Sequence, residues 1–288
     1  MQIKMKHLFG PVPSQRLGVS LGIDPIPLKV CSFNCVYCEV ARTTNLTLER
    51  KEYIPADEIL QELRDWLAAN PGRPDYITFS GSGEPTLNSA IGRMIREIKQ
   101  LTDVPVAVIT NGSTLFMPDV RQDLLPADVV LPSLDAATPR TFRKINHPHP
   151  GLTLERVLEG LIRFRREYTG KIWLEILLVR GVNDREEEFE ALRQAVEKIQ
   201  PDRVHITTVT RPPGHGRAQP AAQEAMRRLK EILGPIAELA VSFNARAKTL
   251  VAANLADALA ELLKIRACTL EDMVRALGVP QKQLQAEL

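Results

Sequence analysis

Apolar and polar positions along this chain follow two rhythms that take turns. Short apolar runs, rich in Val, Ile and Leu and bounded by Gly, Pro, Asn or Asp, recur at residues 20–26, 75–79, 104–109, 128–134, 171–179 and 203–209. Each reads as a strand. Between them the apolar residues recur at three- and four-residue spacing, as at Leu60, Leu63 and Leu67 within 56–69, where Pro55 stands at the start. That spacing predicts a helix over 56–69, and similar patterns predict helices ending near Gln100, over 153–168 and up to Lys198. Residues 9–18, with Gly10, Pro11, Pro13 and Gly18, read as a turn-rich lead-in. Six strand–helix repeats imply an α/β fold whose sheet is parallel and whose crossovers are right-handed. Eight would close a barrel; six predict a partial (β/α)6 TIM-like barrel, open at one side.

The rhythm changes after about residue 238. The reading assigns 1–245 to the barrel and 246–288 to a small C-terminal helical appendage. A helix is expected over 255–265, and from Cys268 to Leu284 the pattern resembles a helix-turn-helix, with Thr269 and Asp272 as its cap and Gly278 as its turn. About 20 residues are too few for a core of their own, so the expected role is an accessory lobe docked on the barrel.

Composition narrows the function classes. With 44% hydrophobic and 25% charged residues in 288, the chain can bury a full core. Its net charge of +2, from 37 basic and 35 acidic side chains, gives no global footprint for nucleic acid. No apolar run approaches the roughly 20 residues of a membrane span, and the first ten residues lack the apolar centre of a signal peptide. Four cysteines, three of them within eight residues, do not form a secreted disulfide framework. A cytoplasmic location, where thiols stay reduced, is expected.

Those three, Cys31, Cys35 and Cys38, are spaced C-x3-C-x2-C. Three thiolates that close converge on one object. A disulfide takes two, and a structural zinc normally takes four, so zinc would need a histidine or Cys268 as well. A cubane iron–sulfur cluster accepts three when another molecule takes its fourth iron. The spacing, with Tyr37 before the last cysteine, resembles the signature of the radical S-adenosylmethionine superfamily. There the amino and carboxylate groups of S-adenosylmethionine occupy that iron. Cys268 reads as a buried spectator.

Further positions gain meaning from that resemblance because each follows a strand, the catalytic end of a parallel sheet. Gly81-Ser82-Gly83-Glu84-Pro85 lacks the Lys-Ser or Lys-Thr of a phosphate loop and resembles the superfamily's Gly-Gly-Glu-Pro element, with Ser82 in place of a glycine. The resemblance implies that Ser82, Gly83 and Glu84 receive the methionyl ammonium. It also implies that Asn111, Ser133 and Asp135 bind the cofactor's carboxylate or ribose; by themselves these read as a turn and a helix cap. Glu175, on a strand, is either a ligand contact or half of an ion pair. Arg16 is a weak candidate for the cluster region, against a surface arginine. Asn183 and Asp184 belong to a Gly-Val-Asn-Asp turn or cap the next helix, and His205 reads as a satisfied core histidine. The basic run from Arg140 to His149 offers either an anion site or a solvated loop.

In order of motifs the chain is most similar to the iron–sulfur oxidoreductase branch that includes wyosine-type tRNA-base synthases, but it lacks their auxiliary-cluster cysteines. The resemblance implies an enzyme in which a [4Fe–4S] cluster reductively cleaves S-adenosylmethionine to a 5′-deoxyadenosyl radical that takes hydrogen from a substrate. It implies a low-potential electron donor of ferredoxin or flavodoxin type. The substrate class stays open between small molecule, peptide and RNA. Two alternatives stand beside it: a metal-binding regulatory or nucleic-acid-binding module, and a radical tRNA-modifying enzyme.

Overall fold

The structure is a computed structural model, described for residues 5–14, 16–210, 213–214, 216, 218–240, 270, 273–274 and 281–287. Seven parallel strands and one antiparallel edge strand form a single sheet in the order β1-β2-β5-β6-β7-β8-β9-β10. β1 spans Leu8–Ser14 and β2 Gly18–Ile23. β5 spans Tyr76–Phe79, β6 Val106–Thr110 and β7 Val129–Pro132. β8 spans Lys171–Leu178, β9 Arg203–Thr208 and β10 Ala237–Leu239. A separate two-stranded ladder, β3 (Val30–Cys31) with β4 (Asn45–Leu46), sits in the loop after β2.

Each crossover carries helix. α1 (Ala56–Ala69) and α2 (Ile91–Leu101) follow β2 and β5, and α3 (Pro118–Leu124) follows β6. α4 (Pro139–Asn146) and α5 (Leu154–Glu167) share the connection after β7. α6 (Glu186–Ile199) follows β8, and α7 (Gln223–Leu233) follows β9. Six strand–helix units therefore precede β10, as the repeat count predicts, and the edges at β1 and β10 leave the sheet open.

Alternation along the strands divides the core. Ile77, Phe79, Val106, Val108, Val130, Ile172, Leu174, Ile176, Val204 and Ile206 face the helices and join one large buried cluster. Their neighbours on the opposite face, Ala107, Val129, Leu131 and Trp173, form a second cluster with Leu17. Leu17 comes from the β1–β2 turn, at the N-terminal ends of the parallel strands. The turn thus closes the floor of the sheet's inner side, leaving the carboxyl ends of the strands open for chemistry.

Two sequence readings are corrected. Residues 8–14 are a strand, not a turn-rich lead: prolines are tolerated there because β1 is an edge, with no second neighbour for the missing N–H. Residues 139–146 are a helix, not a solvated loop. Thr138 caps it by accepting the Thr141 N–H, and Phe142, Ile145 and Asn146 are buried while Arg140, Arg143 and Lys144 face solvent. The proposed 245/246 boundary, the helix over 255–265, Cys268 and the cap and turn of the helix-turn-helix pattern lie outside the described residues. Among the described residues no helix is long and apolar enough to cross a membrane.

Candidate active site at the strand ends

The cysteine loop lies across the carboxyl ends of the strands and is fixed by main-chain bonds rather than by its own secondary structure. The N–H groups of Asn34 and Val36 donate to the carbonyls of Asn146 and Ile145, both at 2.9 Å, and His149 N–H donates to the Ser32 carbonyl at 2.9 Å. Gly214 N–H donates to the Cys38 carbonyl at 2.8 Å, and Phe33 meets Phe142 edge to face. The end of α4 is therefore the bed of the loop. All three cysteines are free thiols, half-buried.

Each sulfur has a nitrogen donor. Asn111 Nδ2 lies 3.5 Å from Cys31 Sγ, Asn146 Nδ2 3.5 Å from Cys35 Sγ, and Lys29 Nζ 3.1 Å from Cys38 Sγ. Burial, then the nearby Glu84 carboxylate, pushes the Cys31 thiol up to about 11; burial, then Asp135, pushes Cys35 further. A thiol so disfavoured as a free anion becomes a thiolate when a cation takes the proton's place. Lys29 is only 4% exposed, at φ 61°, and its ammonium makes no ion pair with a carboxylate among the described residues. A buried ammonium needs an anion, and the sulfur of Cys38 is the atom in position to be one.

Glu84 and Asp135 occupy the strand ends, but neither carboxylate is free. Glu84 is buried. Its Oε1 accepts from Thr86 N–H at 3.2 Å and from the hydroxyls of Thr86 and Thr110 at 2.6 Å each; Oε2 accepts from Asn111 N–H at 2.8 Å. It ties the loop after β5 to the top of β6. Asp135 accepts from Tyr37 OH at 2.5 Å, Asn146 Nδ2 at 3.1 Å and Leu177 N–H at 3.0 Å. Burial raises both carboxyl pKa values above the ordinary range, opposed by these hydrogen bonds. Tyr37 is held by Asp135, and burial keeps its phenol protonated. So these groups brace the cysteine loop against β6, β7 and β8.

Ser82 donates its hydroxyl to Asp24 at 2.5 Å, and its carbonyl accepts from Lys29 N–H at 2.9 Å. At Gly83 an added Cβ would lie 1.9 Å from the Val30 carbonyl oxygen, so only glycine allows this loop against the start of the cysteine run. Asn111 also donates to Ser32 Oγ at 2.9 Å. Ser133 is half-buried at the end of β7, in register with Glu175. Thus Tyr37, Ser82, Gly83, Glu84, Asn111, Ser133 and Asp135 gather with the three cysteines at one end of the sheet.

Other candidates sort differently. Glu175 is half of an ion pair, with Arg16, which is a residue of the inner side rather than of the surface. Asn183 braces the site: its Oδ1 accepts from Val179 N–H at 2.7 Å and its Nδ2 donates to the Asp135 carbonyl at 2.8 Å. Asp184 accepts from Gly181 N–H, and Lys144 of the basic run donates to the Gly181 carbonyl. His205 is satisfied at one ring nitrogen only, by Glu238. Lys29, nine residues from Cys38, escapes sequence reading because it belongs to no motif, and Asn146 lies in the 140–149 run but acts on Cys35, 111 positions away.

Among the described residues no three His, Cys, Asp or Glu side chains group closely enough to hold one metal ion. A cubane makes a different demand, with each thiolate on a separate iron. The three sulfurs and their nitrogen donors, the buried Lys29 ammonium among them, fit such a group.

Comparison with known proteins agrees. The family described as Radical SAM superfamily matches residues 26–195, more than half of the chain. The chain is 36% identical over 233 residues to a UPF0026 protein of Methanocaldococcus jannaschii, covering 81% of this chain and 72% of that one. It is 46% identical over 230 residues to a Brachyspira hyodysenteriae protein named GTPase Obg, covering 80% of this chain but only 34% of that protein. It thus spans about a third of that relative's length. A radical SAM methyltransferase from Sphaerobacter thermophilus superposes with a TM-score of 0.60 at 18% identity, over 76% of this chain and 65% of that one, a likeness of fold alone. With motif, sheet and family match in agreement, the chain belongs to the radical SAM superfamily, enzymes that use a [4Fe–4S] cluster and S-adenosylmethionine.

Proposed function

We propose that Cys31, Cys35 and Cys38 hold the [4Fe–4S] cluster of this chain, and that S-adenosylmethionine lies against Ser82, Gly83, Asn111 and Ser133. When bound and reduced, that pair supplies a homolytic break of the C5′–S bond, giving methionine and a 5′-deoxyadenosyl radical that takes hydrogen from an organic substrate. The observation that carries the reading is the Lys29 ammonium, buried and aimed at the Cys38 sulfur, with no carboxylate ion-paired to it among the described residues.

The chain's own residues then have separable tasks. Lys29, Asn111 and Asn146 each place an N–H donor on one cysteine sulfur, which favours the thiolate over the thiol. Glu84 and Asp135 are positioning residues: one fixes Thr110 and Asn111, the other fixes Tyr37 and Asn146. Glu84 already accepts from Thr86, Thr110 and Asn111, so in this reading the methionyl ammonium is received by the backbone of the 81–83 loop, which Gly83 brings close. The inner side of the sheet below Asn111 and Ser133 receives the substrate. Family members need a reductant, and a ferredoxin or flavodoxin type of donor fits a low-potential cluster. The name of the Brachyspira relative does not carry over, since the loop at 81–85 lacks the lysine of a phosphate-binding loop.

The test is product analysis. Protein reconstituted anaerobically with iron and sulfide, then given dithionite and S-adenosylmethionine, should yield 5′-deoxyadenosine and methionine. Loss of both products in Cys31→Ala is expected; full cleavage by that variant would overturn the ligand assignment.

A further inference from the structure

Among the described residues three large hydrophobic side chains are exposed, and two of them, Leu28 at 67% and Leu46 at 36%, flank the cysteine run. Leu46 pairs in register with Cys31 on the β3–β4 ladder. Leu28 precedes the buried Lys29, whose carbonyl accepts from the N–H groups of Thr44 and Asn45 at 3.3 and 3.1 Å. Leucines scattered singly over a surface need no explanation, but two on one short ladder beside a cluster ligand do.

A basic stripe borders the same run from its other side. Arg140, Arg143 and Lys144 recur on α4 at i, i+3 and i+4, with His147 at the C-cap continuing to i+7, and all four are exposed. Among the described residues none of the three cations is ion-paired to a carboxylate: Lys144 donates to the Gly181 carbonyl, and Arg143 feels the charge of Glu155 without bonding to it. Asp184 is taken up by Gly181 N–H, and the buried Glu188 by Ala137 and Thr138. Main-chain bonds make one strip of these parts. Thr47 N–H donates to the Cys31 carbonyl at 3.0 Å, and His149 N–H donates to the Ser32 carbonyl at 2.9 Å. Residues 44–47, the cysteine run and the end of α4 therefore lie side by side, apolar on one flank and positive on the other.

We propose that this strip is the docking face of a small acidic electron-donor protein, with Leu28 and Leu46 at its apolar centre and Arg140 and Arg143 on its charged rim. This deepens the radical SAM reading of the same site and rests on it. Exposed leucines inside a charged border are the anatomy of a protein interface, whereas nucleic-acid interfaces are polar and strongly basic, and the net charge here is only +2. The unpaired cations select a partner of opposite sign. Position selects its task, because the face lies on the loop that holds the cluster ligands. One electron crosses there: the donor is oxidised by one, the cluster is reduced by one, and no bond forms or breaks.

The probe is an acidic flavodoxin in its hydroquinone form, mixed anaerobically with the reconstituted protein while the flavin semiquinone is followed by absorbance. Photoreduced 5-deazaflavin, small and uncharged, is the control, with the reduced cluster read by electron paramagnetic resonance. The flavodoxin rate should fall as salt rises, since steering charges are screened over about 10 Å at 0.1 M. Arg140→Glu combined with Arg143→Glu should slow it about tenfold at low salt and flatten the salt dependence. Leu28→Ser should weaken flavodoxin binding about tenfold at any salt. Both variants should keep their iron and be reduced by deazaflavin at the wild-type rate; if Leu28→Ser loses iron, the charge variant alone decides. No electron transfer from flavodoxin, or a rate indifferent to salt and to the charge reversal, overturns the proposal. So does an RNA oligonucleotide that binds the stripe while the flavodoxin rate stays unchanged in the variant, or a dimer of this chain that Leu28→Ser dissociates. A protein that cleaves S-adenosylmethionine under deazaflavin but takes electrons from flavodoxin without regard to this face fails this inference only. One whose cluster is reduced through the face but never cleaves S-adenosylmethionine fails the underlying reading instead.

Discussion

Replacing Lys29 by methionine removes one charge beside the cysteine loop and little volume. The backbone is left-handed at φ 61° in either case, so strain does not change between the two. What changes is the 3.1 Å contact to Cys38 Sγ. Hydrogen bonds to charged groups contribute about 1.5–3 kcal/mol. A donor and a positive charge on a ligand sulfur favour the reduced, more negative state, so its removal lowers the midpoint potential. If about half of that interaction responds to reduction, the loss is roughly 0.8–1.5 kcal/mol, about 1.4 kcal/mol toward its upper end. That is about tenfold in the reduced fraction at fixed potential, or ~59 mV for a one-electron couple. The assay is a potentiometric titration of reconstituted protein followed by electron paramagnetic resonance, with iron and sulfide measured on the same samples. Lys29→Met should keep its cluster and titrate more negative, while Lys29→Arg stays near wild type. An unchanged or more positive midpoint at full cluster content would refute the assignment of Lys29 to the Cys38 sulfur.

Three further outcomes follow from the packing. Gly83→Ala drives a methyl into the Val30 carbonyl and should abolish cluster retention, measured as iron per chain; retention at the wild-type level contradicts the close approach. Glu84→Gln puts an amide donor where donors already converge from Thr86, Thr110 and Asn111, and should cost about 1–3 kcal/mol in urea unfolding, with an unchanged midpoint counting against it. The third concerns pH in the metal-free protein, where burial holds the Cys31 thiol up at about 11 against an ordinary 9.0. The folded chain keeps a proton that the unfolded chain releases. Stability from this group is therefore full below pH 9 and is lost as the pH climbs to about 11, by at most roughly 3 kcal/mol. Cys31→Ala should flatten part of that slope; an identical slope in the variant would show that the thiol is not the cause.

The strands at 75–79, 104–109, 128–134, 171–179 and 203–209 were legible because they are largely buried on both faces, under the helices on one and on the inner side on the other, and so read as apolar runs. β1 was hidden by Gly10, Pro11 and Pro13, residues that signal a turn unless one knows the strand is an edge. α4 was hidden by its length: eight residues give only Phe142, Ile145 and Asn146 to the core, too few for a periodic signal. In the site, the cysteine spacing carried the chemistry by itself. The motifs located Glu84 and Asp135 but not their tasks, because a carboxylate's role depends on which donors surround it, and those come from residues 26 and 98 positions away. The same holds for Arg16 and Glu175, brought together by a turn that closes the sheet's floor. Lys29 looks like any surface lysine until the loop folds over it.

The proposed iron–sulfur cluster is ligated by the chain at three irons and left incomplete at the fourth. The direct measurement is the electron paramagnetic resonance spectrum of the reduced, reconstituted protein, recorded with and without S-adenosylmethionine. A cluster signal that changes shape on adding the cofactor, with coupling to its amino nitrogen, is the predicted result. A signal indifferent to S-adenosylmethionine, or a metal held wholly by side chains of the protein, would contradict it.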